Sequence, residues 1–350
     1  MPRGRVDRRR FLRGAGSAGA LGGAALLGGR QLSRAETARA ATPELPDPRL
    51  YCQIRTADGT PSANMVVGSV DHSRNGFDPY TVLTDFDGGE VSRDRNGRTV
   101  REYEINAVPR EIEVAPGVFF PAWTYNGRVP GPTIRATQGD RIVIRFGNGN
   151  THPHTMHFHG FHGAGMDGVP GAGEVYPGET TTYDFVAEPF GTHLYHCHSL
   201  PVKEHIHRGL YGAFIVDPPG GRPPANELLL MMNAFDTNFD GANEVYAVNT
   251  VAFAYAERPI QIRAGELQRA HVINVTEFDP INSIHLHANF FDVYRSGTSL
   301  QPTELVDVLP FMQAERHMIE FTYREPGRYM FHAHQAEFIE LGWMSFFEVS

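Results

Sequence analysis

Cysteine is scarce in this sequence, which has two cysteines, Cys52 and Cys197, in 350 residues. A framework of several disulfides is therefore excluded, and at most one bridge can form. A bridge between these two cysteines is one alternative. In the other, Cys197 is free and is a candidate metal ligand because it has a histidine on each side, and Cys52 is a buried, unreactive thiol.

Positive charge and long apolar runs are also scarce beyond the N-terminus. Residues 1–40 hold nine of the 31 basic and two of the 40 acidic residues, which leaves a net charge of about −16 for residues 41–350. This excess of negative charge argues against nucleic acid or an anionic membrane as a partner. No apolar run after residue 29 is long enough to span a bilayer, so a soluble globular protein is predicted.

The N-terminus is typical of an export signal. Asp7–Arg13 matches the twin-arginine motif, and the run from Gly14 to Gly29 is apolar but short and rich in Gly and Ala. Ala38-Arg-Ala40 offers a cleavage site with small residues. The sequence therefore predicts a twin-arginine signal peptide over residues 1–40 and a mature protein in the periplasm, the cell wall or the extracellular space.

From residue 101 onward, short β-rich runs alternate with Gly/Pro turns, as in a β-sandwich. Two stretches repeat each other, Ile134–Arg141 and Ile262–Arg269, and Pro218–Pro224 between them has the composition of a stiff linker. We therefore predict an all-β protein with two tandem Greek-key β-sandwich domains. The expected segments are a signal peptide (1–40), an N-terminal extension with one or two edge strands (41–100), a first domain (101–217), a linker (218–226) and a second domain (227–350).

Eight of the 17 histidines form four His-x-His pairs. Alternate residues of a strand point to one face, so each pair presents two imidazoles together, whereas Cys197 points away from its two neighbours. Imidazoles with one thiolate suit copper, and a structural zinc site takes four ligands rather than eight. The pairs are His157/His159, His196/His198, His285/His287 and His332/His334.

These pairs make the chain similar to the multicopper oxidases, specifically the laccase-like, two-domain branch that keeps its blue copper in the first cupredoxin domain. Trp123–Arg135, Gly139–Phe146 and Met166–Pro170 fit the same pattern, and the resemblance covers roughly residues 100–350. It implies cupredoxin-like domains and four coppers per chain: one type 1, one type 2 and two type 3. The implied activity is one-electron oxidation of small reducing substrates, phenols and aromatic amines, with reduction of dioxygen to water.

The type 1 copper needs two imidazoles and one thiolate. Cys197 supplies the thiolate, and His154, three residues before His157, faces the same way as the sulfur by strand alternation. His205 resembles the family's second imidazole ligand, and His207 is the competing candidate.

Departures from the family pattern limit this copper to one per chain. Leu210 falls where a methionine often lies as axial ligand, and since leucine cannot donate, the reduction potential should rise. In the second domain, Asn282, Ala333 and Phe338 occupy the places of the imidazole and thiolate ligands. The second domain is therefore expected to lack a type 1 copper.

The resemblance assigns the eight paired histidines to a three-copper cluster. His157 and His285 would hold the type 2 copper and the other six the type 3 pair. In this branch the cluster usually forms between the first domain of one subunit and the second domain of a neighbour, which implies a homotrimer. Dioxygen reduction also consumes protons, and the candidate acids are Asp167, Glu337 and Glu340.

Three other functions stay open. The same chemistry could oxidise Cu(I), Fe(II) or Mn(II), although no Met-rich insert favours the cuprous ion. Copper nitrite reductases resemble this chain around Pro153–His159, but they have an acidic residue where this chain has His157. They also need only one type 2 copper, which leaves His198 and His287 unexplained. A copper store or electron carrier without enzymatic activity is the third alternative.

Overall fold

The computed structural model describes residues 68–160 and 162–350. The predicted signal peptide over residues 1–40 and Cys52 lie outside the described residues. Among the described helices, none has both the length and the apolar character needed to cross a membrane.

The first half of the described chain forms two sheets. Strand order is β2-β3-β6-β8 in one sheet, with β4 added on β3, and β1-β5-β10-β9-β7 in the other. The strands are β1 Phe86–Asp87, β2 Glu90–Arg93, β3 Thr99–Ala115, β4 Val118–Tyr125, β5 Thr133–Thr137, β6 Arg141–Asn148, β7 His157–Phe158, β8 Thr180–Val186, β9 Gly191–His196 and β10 Tyr211–Asp217.

The second half forms another two sheets, ordered β12-β11-β14-β19-β16-β17 and β13-β21-β20-β15-β18. Two pairs of sheets in tandem confirm the predicted all-β architecture. The strands are β11 Asn226–Phe235, β12 Val245–Val248, β13 Ile260–Ile262, β14 Gln268–Asn274, β15 Ile281–Leu286, β16 Phe291–Arg295, β17 Glu304–Val306, β18 Val308–Met312, β19 Arg316–Phe321, β20 Gly327–His332 and β21 Met344–Val349.

The described helices are short and lie in connections between strands. Two of them, α3 and α5, occupy equivalent places after β9 and β20, where the two halves present their histidines. The helices are α1 His72–Asn75, α2 Pro79–Thr84, α3 Val202–His207, α4 Ala254–Glu257 and α5 Ala336–Glu340, with a 3-10 turn at Ala164–Met166.

The internal repeat is visible in the strand register. His157 of β7 pairs with His196 of β9, and His285 of β15 pairs with His332 of β20, antiparallel in both cases. Residues directly opposite each other in an antiparallel pair project their side chains to the same face. Each half therefore brings two His-x-His pairs to one face of a sheet.

An apolar layer joins the two halves. Leu194 and Ile215 of the first half pack in one buried cluster with Leu229, Met231 and Ile273 of the second. We call this cluster the interdomain layer. Its burial removes a continuous apolar surface from water on both sides.

The residues before β3 also bind the two halves together. Val82 of α2 packs in the interdomain layer, and its neighbour Leu83 packs in the core of the second half. The Tyr255 hydroxyl donates to the Pro79 carbonyl oxygen at 2.7 Å. The sequence predicted no role for this part of the N-terminal extension, and its short helices were not predicted. Its two short strands, β1 and β2, lie at sheet edges.

Candidate metal centres

One group of donor atoms combines a thiol with two imidazoles. His154 precedes β7, Cys197 directly follows β9, and His205 lies on α3. The Cys197 Sγ atom is 3.1 Å from Nδ1 of His205 and 3.7 Å from Nδ1 of His154. The two Nδ1 atoms are 3.1 Å apart. Residues distant in the sequence therefore bring three donor atoms to one point.

Burial sets the protonation of this group. Desolvation lowers the pKa of His154 to about 3 and that of His205 to about 4, and it raises the pKa of the Cys197 thiol. Both rings are therefore neutral at pH 7. A cation between the three atoms would contact one sulfur and two imidazole nitrogens, and this donor set fits copper in a blue site.

Contacts around the sulfur hold the group in place. The Cys197 N–H donates to the Leu210 carbonyl oxygen at 2.9 Å, and the Leu210 N–H donates to that of His205 at 3.2 Å. The Thr155 N–H donates to Cys197 Sγ at 3.3 Å, a contact that sequence analysis missed. Leu210 is fully buried and its side chain offers no lone pair to a metal.

His207, the alternative to His205, is engaged elsewhere. Its Nε2 accepts the N–H of Asp236 at 3.0 Å. Its ring packs against Phe120 and Phe278, with ring centroids 5.2 and 5.0 Å away. The structure therefore brings His205, and not His207, to the sulfur.

A second group of donors is the first imidazole set, which we define as His157, His159, His196 and His198. The neighbouring ring centroids in the set are 5.1 to 5.7 Å apart. Nε2 of His159 is 3.0 Å from Nε2 of His196. Desolvation lowers the pKa of His159 to about 3 and that of His196 to about 4, so both rings are neutral at pH 7.

The second imidazole set, His285, His287, His332 and His334, repeats this arrangement in the other half. Its neighbouring ring centroids are 5.0 to 6.0 Å apart. Nε2 of His287 is 2.9 Å from Nε2 of His332. The two sets are equivalent residue by residue, as the sequence repeat predicts.

Backbone carbonyls fix the same ring orientation in both sets. Nδ1–H of His157 donates to the Asp167 carbonyl oxygen at 2.6 Å, and Nδ1–H of His285 donates to that of Asp307 at 2.7 Å. A proton on Nδ1 leaves the lone pair on Nε2, where a metal can bind. Asp307 was not identified from the sequence, because it is 22 residues from the ring that it orients.

Hydroxyl groups support the last histidine of each set. The His198 N–H donates to Thr155 Oγ1 and the His334 N–H donates to Ser283 Oγ, both at 2.7 Å. Thr155 therefore contacts both the sulfur site and the first imidazole set. Neither hydroxyl was predicted from the sequence, since nothing in the local pattern around Thr155 or Ser283 marks it as a partner of a histidine.

The two imidazole sets are separate groups in the described part of the chain. Among residues 68–160 and 162–350, no ring contact or shared donor group links a histidine of one set to a histidine of the other. Each set alone offers four imidazoles, half of the eight that were predicted to act together.

The second half has no counterpart of the thiol site. Asn282 and Ala333 stand at the places of His154 and Cys197, and Trp343 stands at that of Leu210, since its carbonyl oxygen accepts the Ala333 N–H. The Trp343 indole N–H donates to Asn282 Oδ1 at 3.1 Å, and Phe338 is buried in the same core. Ala333, Phe338 and Trp343 have no metal-binding side-chain atom, and the Asn282 amide oxygen is occupied by the indole N–H.

Of the three predicted acids, Asp167 is the one that contacts an imidazole set. Its Oδ1 is 3.2 Å from Nδ1 of His157 and 3.5 Å from Nε2 of His162, a histidine that sequence analysis did not select. Glu337 and Glu340 are exposed on α5. In the described residues, neither glutamate has a hydrogen bond or ion pair to a histidine of either set.

The chain combines two β-sandwiches with one thiol–imidazole group and two imidazole sets. This combination is typical of the copper proteins with cupredoxin folds. Two models of the multicopper oxidase family match residues 109–221 and 221–350. The chain therefore belongs to the multicopper oxidase family.

Known proteins with similar sequences and structures include both oxidases and nitrite reductases. One similar protein is a multicopper oxidase of known crystal structure, with 52% sequence identity to this chain and a TM-score of 0.79. The match covers 81% of this chain and 100% of that one. A probable nitrite reductase-hydroxylamine oxidoreductase fusion protein of Kuenenia stuttgartiensis is 30% identical over 275 residues, 70% of this chain. A copper-containing nitrite reductase of Neisseria meningitidis is 30% identical over 247 residues, 65% of this chain. The matched regions are 31% and 63% of those two relatives.

A pair of variants at the Asp167 turn should separate proton supply from ring orientation. Asp167→Asn keeps the backbone bond to His157 but removes the carboxylate, so turnover should fall about tenfold or more with unchanged copper content. Gly168→Ala should lower copper content itself, because φ is +70° and a Cβ would lie 2.4 Å from the Met156 carbonyl oxygen. Metal analysis and dioxygen uptake measure the two effects. Equal turnover of Asp167→Asn and the unmodified protein would exclude the carboxylate as a proton donor.

The copper-free protein should become less stable as the pH falls from about 6.5 to about 4. In the folded protein the pKa values of His154 and His205 lie below the ordinary value of 6.5. As the pH falls, the unfolded chain therefore takes up protons before the folded chain does. Their contribution to stability is complete above pH 6.5 and is lost as the pH falls toward the folded pKa values. Urea unfolding at several pH values measures it. The double variant His154→Asn/His205→Phe carries the residues that the second half has at these places, and its stability should depend less steeply on pH. An equal pH dependence in the variant and the unmodified protein would contradict the assignment to these two histidines.

Proposed function

We propose that this chain is a laccase-like copper oxidase that oxidises phenols and aromatic amines one electron at a time and reduces dioxygen to water. The observation that carries the proposal is the position of Cys197. Its sulfur belongs to the thiol–imidazole group, while His196, the residue before it, belongs to the first imidazole set. One peptide unit therefore links a site suited to accepting electrons with a site suited to binding dioxygen.

The chain's own residues have separate tasks in this proposal. His154, Cys197 and His205 would hold the type 1 copper, His157 and His285 the type 2 copper, and the remaining six paired histidines the type 3 pair. Bound copper supplies the one-electron chemistry and the dioxygen activation. Nδ1–H of His196 donates to the Cys197 carbonyl oxygen at 2.9 Å, which adds a hydrogen-bonded route to the covalent one between the two sites.

We further infer a homotrimer in which each cluster lies between two subunits. The separation of the two imidazole sets within the chain supports this arrangement, because each set is half of a centre. A cyclic assembly joins the first set of each subunit to the second set of the next and leaves no set without a partner.

Proton supply and location complete the proposal. Asp167 is the favoured proton donor, since its carboxylate contacts His157 and His162. Glu337 and Glu340 are less favoured because they are exposed and lack such contacts. The twin-arginine motif supports export to the periplasm, the cell wall or the extracellular space. Oxidation of Cu(I), Fe(II) or Mn(II) is the runner-up within the same chemistry.

A copper nitrite reductase is the second candidate, favoured by the two relatives with 30% identity. Such an enzyme needs one type 1 and one type 2 copper. This leaves unexplained the close Nε2–Nε2 pairs, His159 with His196 and His287 with His332. These two pairs support a third and fourth copper and therefore the oxidase.

Copper analysis combined with dioxygen uptake tests the proposal. Four coppers per chain and uptake of one dioxygen per four electrons from a phenol are expected. Two coppers per chain with nitrite reduction would establish the reductase. Fully loaded protein that takes up no dioxygen with phenols, amines or metal ions would support the copper store or electron carrier.

A further inference from the structure

Both imidazoles of the thiol–imidazole group are closed off from solvent. The exposed fraction of His154 is 0% and that of His205 is 1%. The side chain that covers them is Trp123, whose ring centroid is 5.2 Å from that of His154 and 4.9 Å from that of His205. A donor in solution therefore cannot touch either imidazole, and the indole is the group between them.

Trp123 is held firmly in this position. It lies on β4 opposite Pro109 of β3, and its backbone N–H donates to the Arg208 carbonyl oxygen at 2.9 Å. Arg208 immediately follows α3, the helix that carries His205. The same backbone contact therefore fixes the indole and the imidazole relative to each other.

The outer side of the indole carries aromatic and cationic groups. The exposed ring of His152 lies 4.6 Å from the Trp123 ring, centroid to centroid, at an angle of 34°. The Arg208 guanidinium lies 5.2 Å from the Trp123 ring and 4.7 Å from that of Phe239, which is 49% exposed. We call these four residues the Trp123 platform.

We propose that Trp123 is the residue through which electrons enter, and that the Trp123 platform docks planar aromatic donors. This inference rests on the proposed oxidase function and names its substrate class. Trp123 itself is 7% exposed, so a phenol would dock on the exposed rings of His152 and Phe239 beside the indole and would accept a hydrogen bond from Arg208. Arg208 already pairs with Glu204 at 3.4 Å, so it is a shared donor and not a free charge. Hydrated metal cations gain nothing from stacked rings, and the guanidinium repels them.

The electron transfer balances as a one-electron step. The docked phenol loses one electron and one proton and becomes a phenoxyl radical. The proton goes to water at the exposed platform. The electron would pass through the indole and the packed imidazole of His205 or His154, and a cupric ion held by these two residues and Cys197 would supply the one-electron acceptor.

Docking can be tested in copper-free protein by tryptophan fluorescence. The sequence has two tryptophans, so the Trp343→Phe variant leaves Trp123 as the single reporter. Titration with hydroquinone should change its emission saturably, and Phe239→Ser in this background should weaken the apparent affinity about tenfold, the scale of one aromatic contact. If Trp343→Phe does not fold, the difference between the unmodified protein and Trp123→Phe gives the same signal. No saturable change overturns the docking site.

Electron entry can be tested by anaerobic stopped-flow bleaching of the blue colour in copper-loaded protein. With hydroquinone, Trp123→Leu should slow the second-order rate about tenfold or more, and Trp123→Phe should restore part of it. Ferrocyanide, which has no ring to stack, should show a much smaller change. The reduction potential of each variant is measured so that rates are compared at equal driving force.

The outcomes distinguish this inference from the oxidase function. If hydroquinone reduces Trp123→Leu as fast as the unmodified protein at equal driving force, the indole is only a cover and the inference is wrong. That result with normal dioxygen uptake leaves the oxidase function intact. Failure to take up dioxygen overturns the oxidase function, whereas the bleaching rates still test Trp123.

Discussion

Replacement of Cys197 by serine is expected to abolish the blue colour and nearly all substrate oxidation while the cluster coppers stay bound. A serine hydroxyl is a hard donor that stays protonated at pH 7, so it cannot replace the thiolate. Cys197 is fully buried and serine is similar in size, so the strand should keep its place. His196 and His198 should therefore stay in register, and copper content should fall from four to three per chain.

The other cysteine of the sequence supplies the matched control. Cys52→Ser removes the same functional group and should retain the colour, the copper content and the activity. Visible absorption, metal analysis and dioxygen uptake are measured on all three proteins. A Cys197→Ser protein that stays blue or keeps its oxidation rate would show that the sulfur is not the electron-accepting ligand.

Two inactive variants are expected to restore each other's activity. His159→Ala damages the first imidazole set and His287→Ala damages the second, so each trimer made of one variant has three broken clusters. When the two chains are co-expressed, every mixed trimer contains one cluster built from two intact sets. Random mixing makes three quarters of the trimers mixed, so about a quarter of the unmodified activity should return.

A second pair of variants controls for mixing itself. His159→Ala and His196→Ala both damage the first imidazole set, so their mixed trimers contain no intact cluster and should stay inactive. Mass spectrometry of differently tagged chains measures the degree of mixing. Mixed trimers of His159→Ala and His287→Ala without activity would show that each cluster forms within one chain.

The histidine pairs were predictable because strand alternation is a local rule. It requires only that His157 and His159 point to one face and that Cys197 points away from its neighbours. Both halves follow it, and the His157–His196 and His285–His332 registers agree with the repeat. The tandem sandwiches were predictable for the same reason, since short strands and Gly/Pro turns are recognisable from the local sequence.

The remaining ligand and its surroundings depend on contacts across the fold. His205 and His207 lie two residues apart on a short helix and point to different sides, and the helix's orientation decides which one meets the sulfur. Trp123 belongs to a stretch that resembles the family pattern, yet its contact with both imidazoles depends on the long-range backbone bond between β4 and Arg208, the residue after α3. Trp343 was not predicted, because its packing in the core and its hydrogen bond to Asn282 both depend on residues distant in the sequence.

The interdomain layer limits how this protein can be taken apart. Side chains from both halves share one buried cluster, and the Thr250 hydroxyl of one half donates to the Val129 carbonyl oxygen of the other at 2.6 Å. Neither half is an autonomous module, since separation would strip the layer from both. Heating should therefore melt the chain in a single cooperative transition, and a transplanted half would need its contact surface redesigned before it could carry copper into another scaffold.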